Sequence, residues 1–295
     1  MKPQLAAKLE EIRKVRNLDP KSWVDKKCEL LNNYMTKNGL KACVVNVSGG
    51  IDSALTILLC KAVSEKPGSP IKKVKGIIQP IHSTESIMKR AIDFVKAKNL
   101  DHVIIDQSEV FNLLSSTVEK AYGYEAPPFA KGQLKSYMRT PVAFFSAQLL
   151  SAAGTPAIVV GTGNYDEDGY LFYFCKPGDG TNDIQLIHDL HKSEVGEVAK
   201  YIGVTKEIIE APPSADLWPG QTDEGELGFG YDFIELYTEM VEKKDELEKW
   251  VKTLDAENKA QWDEVSSKIE KIHTRNKHKE SWPINLDIMC PNGVR

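Results

Sequence analysis

Cysteines are few in this sequence, and their positions exclude the disulfide and zinc frameworks that hold many small proteins together. Among 295 residues there are five cysteines, none in a Cys-x-x-Cys pair or at a zinc-site spacing. Cys43 and Cys60 lie within apolar runs, which predicts that they pack as small hydrophobic side chains. Free thiols are typical of a reducing compartment, so we expect a cytoplasmic protein.

Long hydrophobic runs and an excess of basic charge are also missing. The most apolar stretch, residues 142–153, contains Ser and Gln and is too short to cross a bilayer. The N-terminal Met-Lys-Pro-Gln-Leu lacks the apolar core of a signal peptide. With 38 Lys and Arg against 42 Asp and Glu, the formal net charge is −4. No overall basic field attracts the chain to nucleic acid or to a membrane surface, so neither is expected as a partner.

A Walker-type phosphate loop is absent as well, because no Gly-x-x-x-x-Gly-Lys-[Ser/Thr] occurs. Another glycine loop is present: residues 48–53 read Ser-Gly-Gly-Ile-Asp-Ser, between an apolar run at 42–47 and a helical apolar pattern at 54–63. This order predicts a strand, a tight turn and a helix whose N-terminus points its free N–H groups at an anion. The glycines permit close backbone approach, and Asp52 supplies a carboxylate suited to a hard divalent cation.

The simplest alternative for this loop is a turn between strand and helix in which the glycines only relieve steric crowding. Two glycines alone would favour that interpretation. The accompanying side chains of Ser48, Asp52 and Ser53 favour a phosphate-binding loop instead.

Apolar periodicity and turn residues divide the chain into alternating helices and strands. Strands are predicted at 42–47, 73–79, 102–106 and 157–161, and helices at 5–15, 20–39, 53–65, 84–98, 107–121, 134–152, 192–202, 231–253 and 256–272. Strands separated by helices predict the α/β class: a Rossmann-like doubly wound parallel sheet flanked by helices, with helical N- and C-terminal extensions. Ligands of such sheets bind beyond the carboxyl ends of the strands, where Ser48 and Gly161 fall.

The glycine loop resembles the pyrophosphate-binding loop of the ATP pyrophosphatases, which split ATP into AMP and pyrophosphate. Five further segments occur in the order and near-spacing typical of one branch of these enzymes, the NAD synthetases: 161–167, 176–183, 191–194, 211–216 and 219–224. The chain resembles this family over roughly residues 25–285. The resemblance implies an ammonia-using ligase that amidates deamido-NAD (nicotinic acid adenine dinucleotide) to NAD, with ATP and Mg²⁺, through an adenylated carboxylate.

The resemblance also implies how the chain is organised. A single domain over 1–295 is expected, with an ATP-pyrophosphatase core at about 25–225 and C-terminal helices at about 226–280. A glutamine-dependent synthetase would carry an additional nitrilase-like domain, for which this chain has no room. Free ammonia, or ammonia delivered by another protein, is therefore the expected second substrate, and no glutaminase domain is expected.

The family motifs assign roles to individual residues by resemblance. ATP contacts are expected from Asn46, Val47, Ser48, Gly49, Gly50, Ile51, Asp52, Ser53, Thr162, Lys192 and Ser214, and deamido-NAD contacts from Arg139, Lys176, Asp183, His278 and Lys279. Asp52 and Glu167 follow two different strands, so both carboxylates can converge on one Mg²⁺. Asp179 and Lys192 are the expected catalytic residues: a carboxylate can bind ammonium and accept its proton, and a lysine can contact the phosphates.

One segment departs from the family pattern. Before the long helix the family reads Asn-x-x-Ala-Arg-x-Arg, whereas Tyr137 here replaces the first arginine. The distance from Arg139 to Thr162 is also several residues longer than usual.

Segments 81–86 and 212–224, rich in small polar residues, Pro and Gly, are predicted to be lids over the bound nucleotides. A homodimer is expected from the family and from the basic pair His278-Lys279.

Two other functions remain open at this stage. A GMP-synthetase-type ATP pyrophosphatase would adenylate xanthosine monophosphate, but segments 176–183 and 219–222 argue against it. A nucleotide-binding module without catalysis would not need Asp52, Glu167 and Lys192 together.

Overall fold

A five-stranded parallel sheet lies at the centre of the computed structural model, which describes residues 1–218, 220–281 and 283. In spatial order the strands are β3 (His102–Ile104), β2 (Lys73–Ile78), β1 (Ala42–Asn46), β4 (Ala157–Gly161) and β5 (Ile184–Gln185). The chain leaves β1 towards β2 and β3, then crosses back to add β4 and β5 on the other side. This is the predicted doubly wound sheet, and the carboxyl ends of β1 and β4 lie side by side at its switch point.

Helices cover both faces of the sheet and extend beyond it. In the described part of the chain they are α1 (Pro3–Arg16), α2 (Pro20–Lys37), α3 (Ile51–Ser64), α4 (Glu85–Ala97), α5 (Ser108–Tyr122), α6 (Pro128–Ala152), α7 (Lys192–Ile202), α8 (Lys206–Ile209), α9 (Asp223–Leu227), α10 (Tyr231–Val241), α11 (Lys244–Val251) and α12 (Ala256–Asn276). A π-helical segment, Tyr165–Leu171, follows β4, and a 3₁₀ turn, Lys277–Lys279, follows α12.

The sheet is buried on both faces, as the apolar sequence of β1 requires. Cys43 and Val45 of β1 pack in one cluster with Leu55 and with residues of α2, α4 and α7. On the opposite face Val44 packs against Ala143 of α6. Both β1 and the start of α3 are thereby fixed, and with them the ends of the loop at 48–53.

A second core lies beside the sheet, where α1, α10 and α12 pack together. Its fully buried side chains include Leu5, Ile234 and Ile269. Leu171, at the end of the π-helical segment, belongs to the same core. The C-terminal helices therefore pack directly against the segment that follows β4.

Two predicted elements differ from the structure. The helix predicted at 134–152 begins too late: α6 starts at Pro128, because proline suits the first helical position, where no N–H is needed. The helix predicted over 231–253 is also wrong, since α10 ends at Val241 and α11 begins at Lys244. The nearly continuous burial of α10 cannot extend into the charged stretch 242–246, and α11 buries no residue.

The four cysteines in the described part of the chain are free and buried: Cys28, Cys43, Cys60 and Cys175. Cys290 lies outside the described residues. Within the described ranges, no helix is both long and apolar enough to cross a membrane.

Candidate active site

The glycine loop lies between β1 and α3, and its conformation requires glycine at position 49. Gly49 has φ +86°, and a Cβ there would lie 2.9 Å from the carbonyl oxygen of Ile87 in α4. The loop is closed internally, because Ser53 Oγ donates to the Gly50 carbonyl at 3.0 Å and lies 3.2 Å from Ser48 Oγ. Arg90 Nε of α4 donates to the Gly49 carbonyl at 2.8 Å. The loop and α4 are therefore packed as one unit around the N-terminus of α3.

A cavity opens at this loop, and we call it the central cavity. Most residues predicted to contact ATP or the metal line it, together with the predicted catalytic Asp179 and the predicted deamido-NAD contact Arg139. The others are Asn46, Ser48, Gly50, Ile51, Asp52, Ser53, Thr162, Glu167, Lys192 and Ser214. The cavity lies beyond the carboxyl ends of β1 and β4, where the topology predicts a ligand. Gly49 turns away from it towards α4, and the buried Val47 lines only the neighbouring cleft beside α4.

Three predicted residues from separate parts of the chain meet inside the central cavity. Lys192 Nζ lies 2.7 Å from Asp52 Oδ2 and 2.8 Å from Glu167 Oε1. All three side chains are mostly buried, with at most 20% of their surface exposed. Burial opposes the charge on Lys192, but the two carboxylates outweigh it and raise the pKa of its ammonium group. Lys192 is therefore charged and shared between two anions.

The donor set fits a magnesium ion. Asp52 and Glu167 supply hard anionic oxygens, as Mg²⁺ prefers, and phosphate oxygens and water usually supply the remaining ligands. Among the residues that the structure describes, no three His, Cys, Asp or Glu side chains are close enough to hold a metal by themselves. Any metal here would need the nucleotide to complete its coordination.

A buried hydrogen-bond network holds the backbone at the start of α7, where Lys192 lies. His191 Nδ1 lies 2.7 Å from Asp166 Oδ1, while Asp166 Oδ2 accepts from the Lys192 backbone N–H at 2.8 Å. Because Asp166 precedes Glu167, two adjacent ion pairs join the π-helical segment to the start of α7. The motif at 191–194 included His191, but the sequence did not reveal its buried partner.

This network predicts a pH dependence of stability. Burial lowers the pKa of His191, but hydrogen bonds to Asp166 and Glu239 outweigh burial and raise it from 6.5 to about 9. A raised histidine pKa stabilises the fold fully below pH 6.5, and this contribution is lost as the pH rises through about 9. We expect the free energy of unfolding, measured by urea denaturation, to fall across this window, and to fall less in His191→Gln. An equal fall in both proteins would contradict the assignment.

Two residues that the sequence did not single out complete the site. Tyr231, the first residue of α10, places its hydroxyl oxygen 2.7 Å from Glu167 Oε1 and 3.1 Å from Asp223 Oδ2. Lys192 Nζ lies 5.1 Å from the Tyr231 ring centroid. Asp223 lines the central cavity, and burial together with the charge of Glu167 raises its pKa to about 6. The motif at 219–224 contains Asp223, but nothing in the sequence indicated its pairing with Tyr231.

The predicted catalytic carboxylate Asp179 also lines the central cavity. Its Oδ1 accepts from the Cys175 N–H at 2.8 Å and from Ser136 Oγ at 3.4 Å. Burial raises the pKa of Asp179. Arg139 lines the same cavity, and burial lowers the pKa of its guanidinium.

The residues predicted to bind deamido-NAD are only partly brought together. Lys176 and Lys279 line a second space, the side cavity, with Phe172 and Phe174. Lys279 Nζ donates to the carbonyl oxygens of those two phenylalanines at 2.9 and 2.6 Å. In contrast, the carboxylate of Asp183 accepts from the backbone N–H of Val159 in β4, at 2.7 Å.

His278 is exposed and lies outside the residues lining the side cavity.

The two segments predicted to be lids contact each other. Asp216 accepts from the backbone N–H of Thr84 at 3.0 Å and from its hydroxyl at 2.7 Å. Asp216 has φ +51°, and its own N–H donates to Ser214 Oγ at 3.1 Å. One carboxylate thus joins segment 81–86 to segment 212–224, beside the cleft next to α4 that Asp216 lines.

Comparison with known proteins agrees with the motifs. The profile of the NAD synthase family matches residues 23–283. An NH(3)-dependent NAD(+) synthetase from Carboxydothermus hydrogenoformans is 34% identical over 237 residues, 79% of this chain and 92% of that protein. One from Methanosarcina acetivorans is 33% identical over 261 residues, 86% of this chain and 93% of that protein. These matches confirm the resemblance inferred from the sequence.

Solved structures share the fold. The NMN synthetase from Francisella tularensis superimposes with a TM-score of 0.74 at 27% identity, covering 93% of this chain and 99% of that one. An NH3-dependent NAD synthetase from Campylobacter jejuni gives a TM-score of 0.69 at 22% identity, covering 90% and 98%.

Proposed function

Because the chain belongs to the NAD synthase family, we propose that it is an ammonia-dependent NAD synthetase that amidates deamido-NAD at the expense of ATP. The observation that carries the proposal is the meeting of Asp52, Glu167 and Lys192 beside the glycine loop at the sheet's switch point. Neither a bare nucleotide-binding module nor a loop that only relieves crowding requires this buried charged triad. The GMP-synthetase alternative is disfavoured by the family match over residues 23–283.

The first chemical step joins the substrate carboxylate to AMP. A nicotinate carboxylate oxygen attacks the α-phosphorus of ATP, and the bond to the β-phosphate oxygen breaks with release of pyrophosphate. The N-terminus of α3 and the hydroxyls of Ser48 and Ser53 are suited to bind the departing phosphates. Asp52 and Glu167 would hold Mg²⁺, which when bound with ATP offsets the charge on pyrophosphate. Lys192 supplies a further fixed positive charge.

The second step forms the amide. Ammonia attacks the acyl carbon of the adenylate, the bond from that carbon to the AMP phosphate oxygen breaks, and the attached nitrogen releases one proton to water as AMP leaves. Only neutral ammonia carries the lone pair for this attack, so ammonium must first lose a proton. Asp179 is our candidate acceptor, because its carboxylate lines the central cavity and its raised pKa makes it a better base than an ordinary aspartate.

The dinucleotide would extend from the central cavity towards the side cavity. Lys176 and Lys279 offer positive charge there, and Phe172 and Phe174 offer aromatic surface. Arg139 faces the central cavity and is suited to bind a phosphate of the same substrate. Asp183 and His278 stay predictions without support from the cavity geometry.

One assay tests this function against its rivals. Protein, ATP, Mg²⁺ and ammonium are mixed with deamido-NAD, with nicotinic acid mononucleotide or with xanthosine monophosphate, and the products are separated by chromatography. We expect NAD, AMP and pyrophosphate in equal amounts from the first mixture. Turnover of xanthosine monophosphate alone would select the GMP-forming alternative, and ATP binding without turnover would select the binding module.

A second candidate is the formation of NMN from the mononucleotide, favoured by the likeness to the Francisella tularensis NMN synthetase. Both substrates present the same nicotinate carboxylate, so the chemistry is unchanged. The ratio of kcat/KM for the two substrates in the same assay decides between them.

We also propose that the protein is a cytoplasmic, single-domain homodimer. The free buried thiols support a reducing compartment. Large apolar side chains stand exposed on two neighbouring helices: Val110, Leu113 and Val118 of α5, and Phe145 and Leu149 of α6. Such a surface is unusual on a monomer and suits a second copy of the chain.

The proposed dimer predicts different molecular masses in solution for the wild type and for a variant with a disrupted interface. We expect light scattering to give twice the chain mass for wild type, and Leu113→Glu to shift the protein towards monomer, because a charge would be buried at the interface. Glu109→Gln, on the same helix, is the control. A fully active wild-type monomer would contradict the proposal.

A further inference from the structure

Asp223 has a buried carboxylate oxygen without a partner. The residue is 7% exposed, and its Oδ2 lies 3.1 Å from the Tyr231 hydroxyl oxygen, within hydrogen-bond distance. Its Oδ1 is buried and has no hydrogen-bond partner within residues 1–218, 220–281 and 283. Leaving a buried carboxylate oxygen unsatisfied costs free energy, so this position is unfavourable for stability alone.

The unpaired oxygen belongs to a side chain that lines the central cavity. Through its Oδ2, Asp223 is separated from Glu167 by a single hydroxyl group, that of Tyr231. Its position is fixed from two sides: the Asp223 N–H donates to the Pro213 carbonyl, and the next residue, Glu224, accepts from the Tyr231 N–H at 3.0 Å. The carboxylate is therefore held at the cation site rather than placed there by a loose loop.

We propose that Asp223 is an outer ligand of the divalent cation held by Asp52 and Glu167. Its free Oδ1 accepts a hydrogen bond from cation-bound water when the nucleotide is present. The inference rests on the proposed function and extends it to a third carboxylate. Mg²⁺ keeps several of its waters in protein sites, and groups that orient such ligands commonly change metal affinity 10–100-fold when lost.

The structure favours contact between Asp223 and the cation through a water molecule over direct coordination. In the part of the chain that the structure describes, no three acidic or histidine side chains are close enough to share an ion directly. A bridging water fills the remaining distance and satisfies the orphan oxygen at the same time. Because Asp223 belongs to the segment 212–224, cation binding and closure of that segment favour each other.

The test measures cation binding directly. Mn²⁺ replaces Mg²⁺, a non-hydrolysable ATP analogue is present at saturation, and free Mn²⁺ is followed by electron paramagnetic resonance. We expect Asp223→Asn to raise the Kd of Mn²⁺ about 10–100-fold. Without metal and nucleotide, its Tm should stay at or above the wild-type value, because an unpaired buried charge has been removed. Glu224→Gln removes the same charge from the same helix, outside the central cavity, but keeps the side-chain oxygen that accepts from the Tyr231 N–H, so it should leave the Kd unchanged.

Two outcomes would overturn the inference: an unchanged Kd in Asp223→Asn, or an equal rise in Glu224→Gln. A lowered Tm with an unchanged Kd would assign Asp223 a structural role instead. Asp52→Asn separates this failure from that of the proposed function. If Asp52→Asn loses Mn²⁺ binding while Asp223→Asn keeps it, only the outer ligand is wrong; if neither variant changes binding, the whole cation assignment fails.

Discussion

Asp52→Asn is expected to slow pyrophosphate release by at least about 10²-fold at saturating ATP. Asp52 lies in the first turn of α3, within the glycine loop, and its Oδ2 lies 2.7 Å from Lys192 Nζ. The substitution would remove one of the two carboxylates that we propose to bind the cation. Asparagine keeps the size of the side chain, so the hydrogen bond from Asn164 Nδ2 to position 52 can persist and the loop should remain folded.

A coupled pyrophosphate assay measures this loss, with Asp25→Asn as the matched control. Asp25 is exposed on α2 and pairs only with Lys21 among the described residues, far in sequence from the site. We expect wild-type rates in the control. Wild-type rates in Asp52→Asn as well would remove Asp52 from the chemistry.

Lys192→Met is expected to have two large effects. Pyrophosphate release should fall about 10²–10³-fold, because a fixed positive charge would be lost beside the proposed phosphate site. Without metal, the protein should also lose about 3–5 kcal/mol of stability, because Asp52 and Glu167 would remain buried without their shared counter-ion. Mg²⁺ together with ATP should restore part of that stability, since both anions then regain a cation.

Urea denaturation of Lys192→Met, with and without Mg²⁺ and ATP, checks the second effect. Lys192→Arg is the control, because arginine keeps the charge and can pair with both carboxylates but presents a different donor geometry to phosphate. We expect it to retain most of the stability and to lose activity. Equal stability of Lys192→Met and wild type would show that the triad is not the buried ion pair described above.

The sheet was predictable because its signals are local. The run at 42–47 reads as a buried strand and the apolar pattern at 54–63 as a helix, so their order along the chain also gives the position of the loop. The two-residue strand β5 was not predicted, since so short a strand carries no periodicity. The break between α10 and α11, after Val241, was also not predicted. The charged residues there are good helix formers, so the sequence contains no stop signal, and the helix ends only because burial ends.

The predicted site residues lie in recognisable motifs, and residues outside such motifs were not predicted. Asp52, Glu167 and Lys192 come together because their segments follow β1, follow β4 and begin α7, all at one edge of the sheet. Tyr231 gave no such signal, because a tyrosine in an apolar helical pattern reads as a core residue. The unpaired oxygen of Asp223 is a property of packing that no sequence pattern reports.

The bond between Asp216 and Thr84 bears on how turnover is organised. The Asp216 carboxylate joins the two segments predicted to be lids, 81–86 and 212–224, which come from opposite halves of the sheet. If both segments open during turnover, the hydrogen bonds between Asp216 and Thr84 must break first, so the two segments would open together. ATP binding and product release would then depend on the same opening step. The acyl-adenylate would be protected from bulk water until that step occurs.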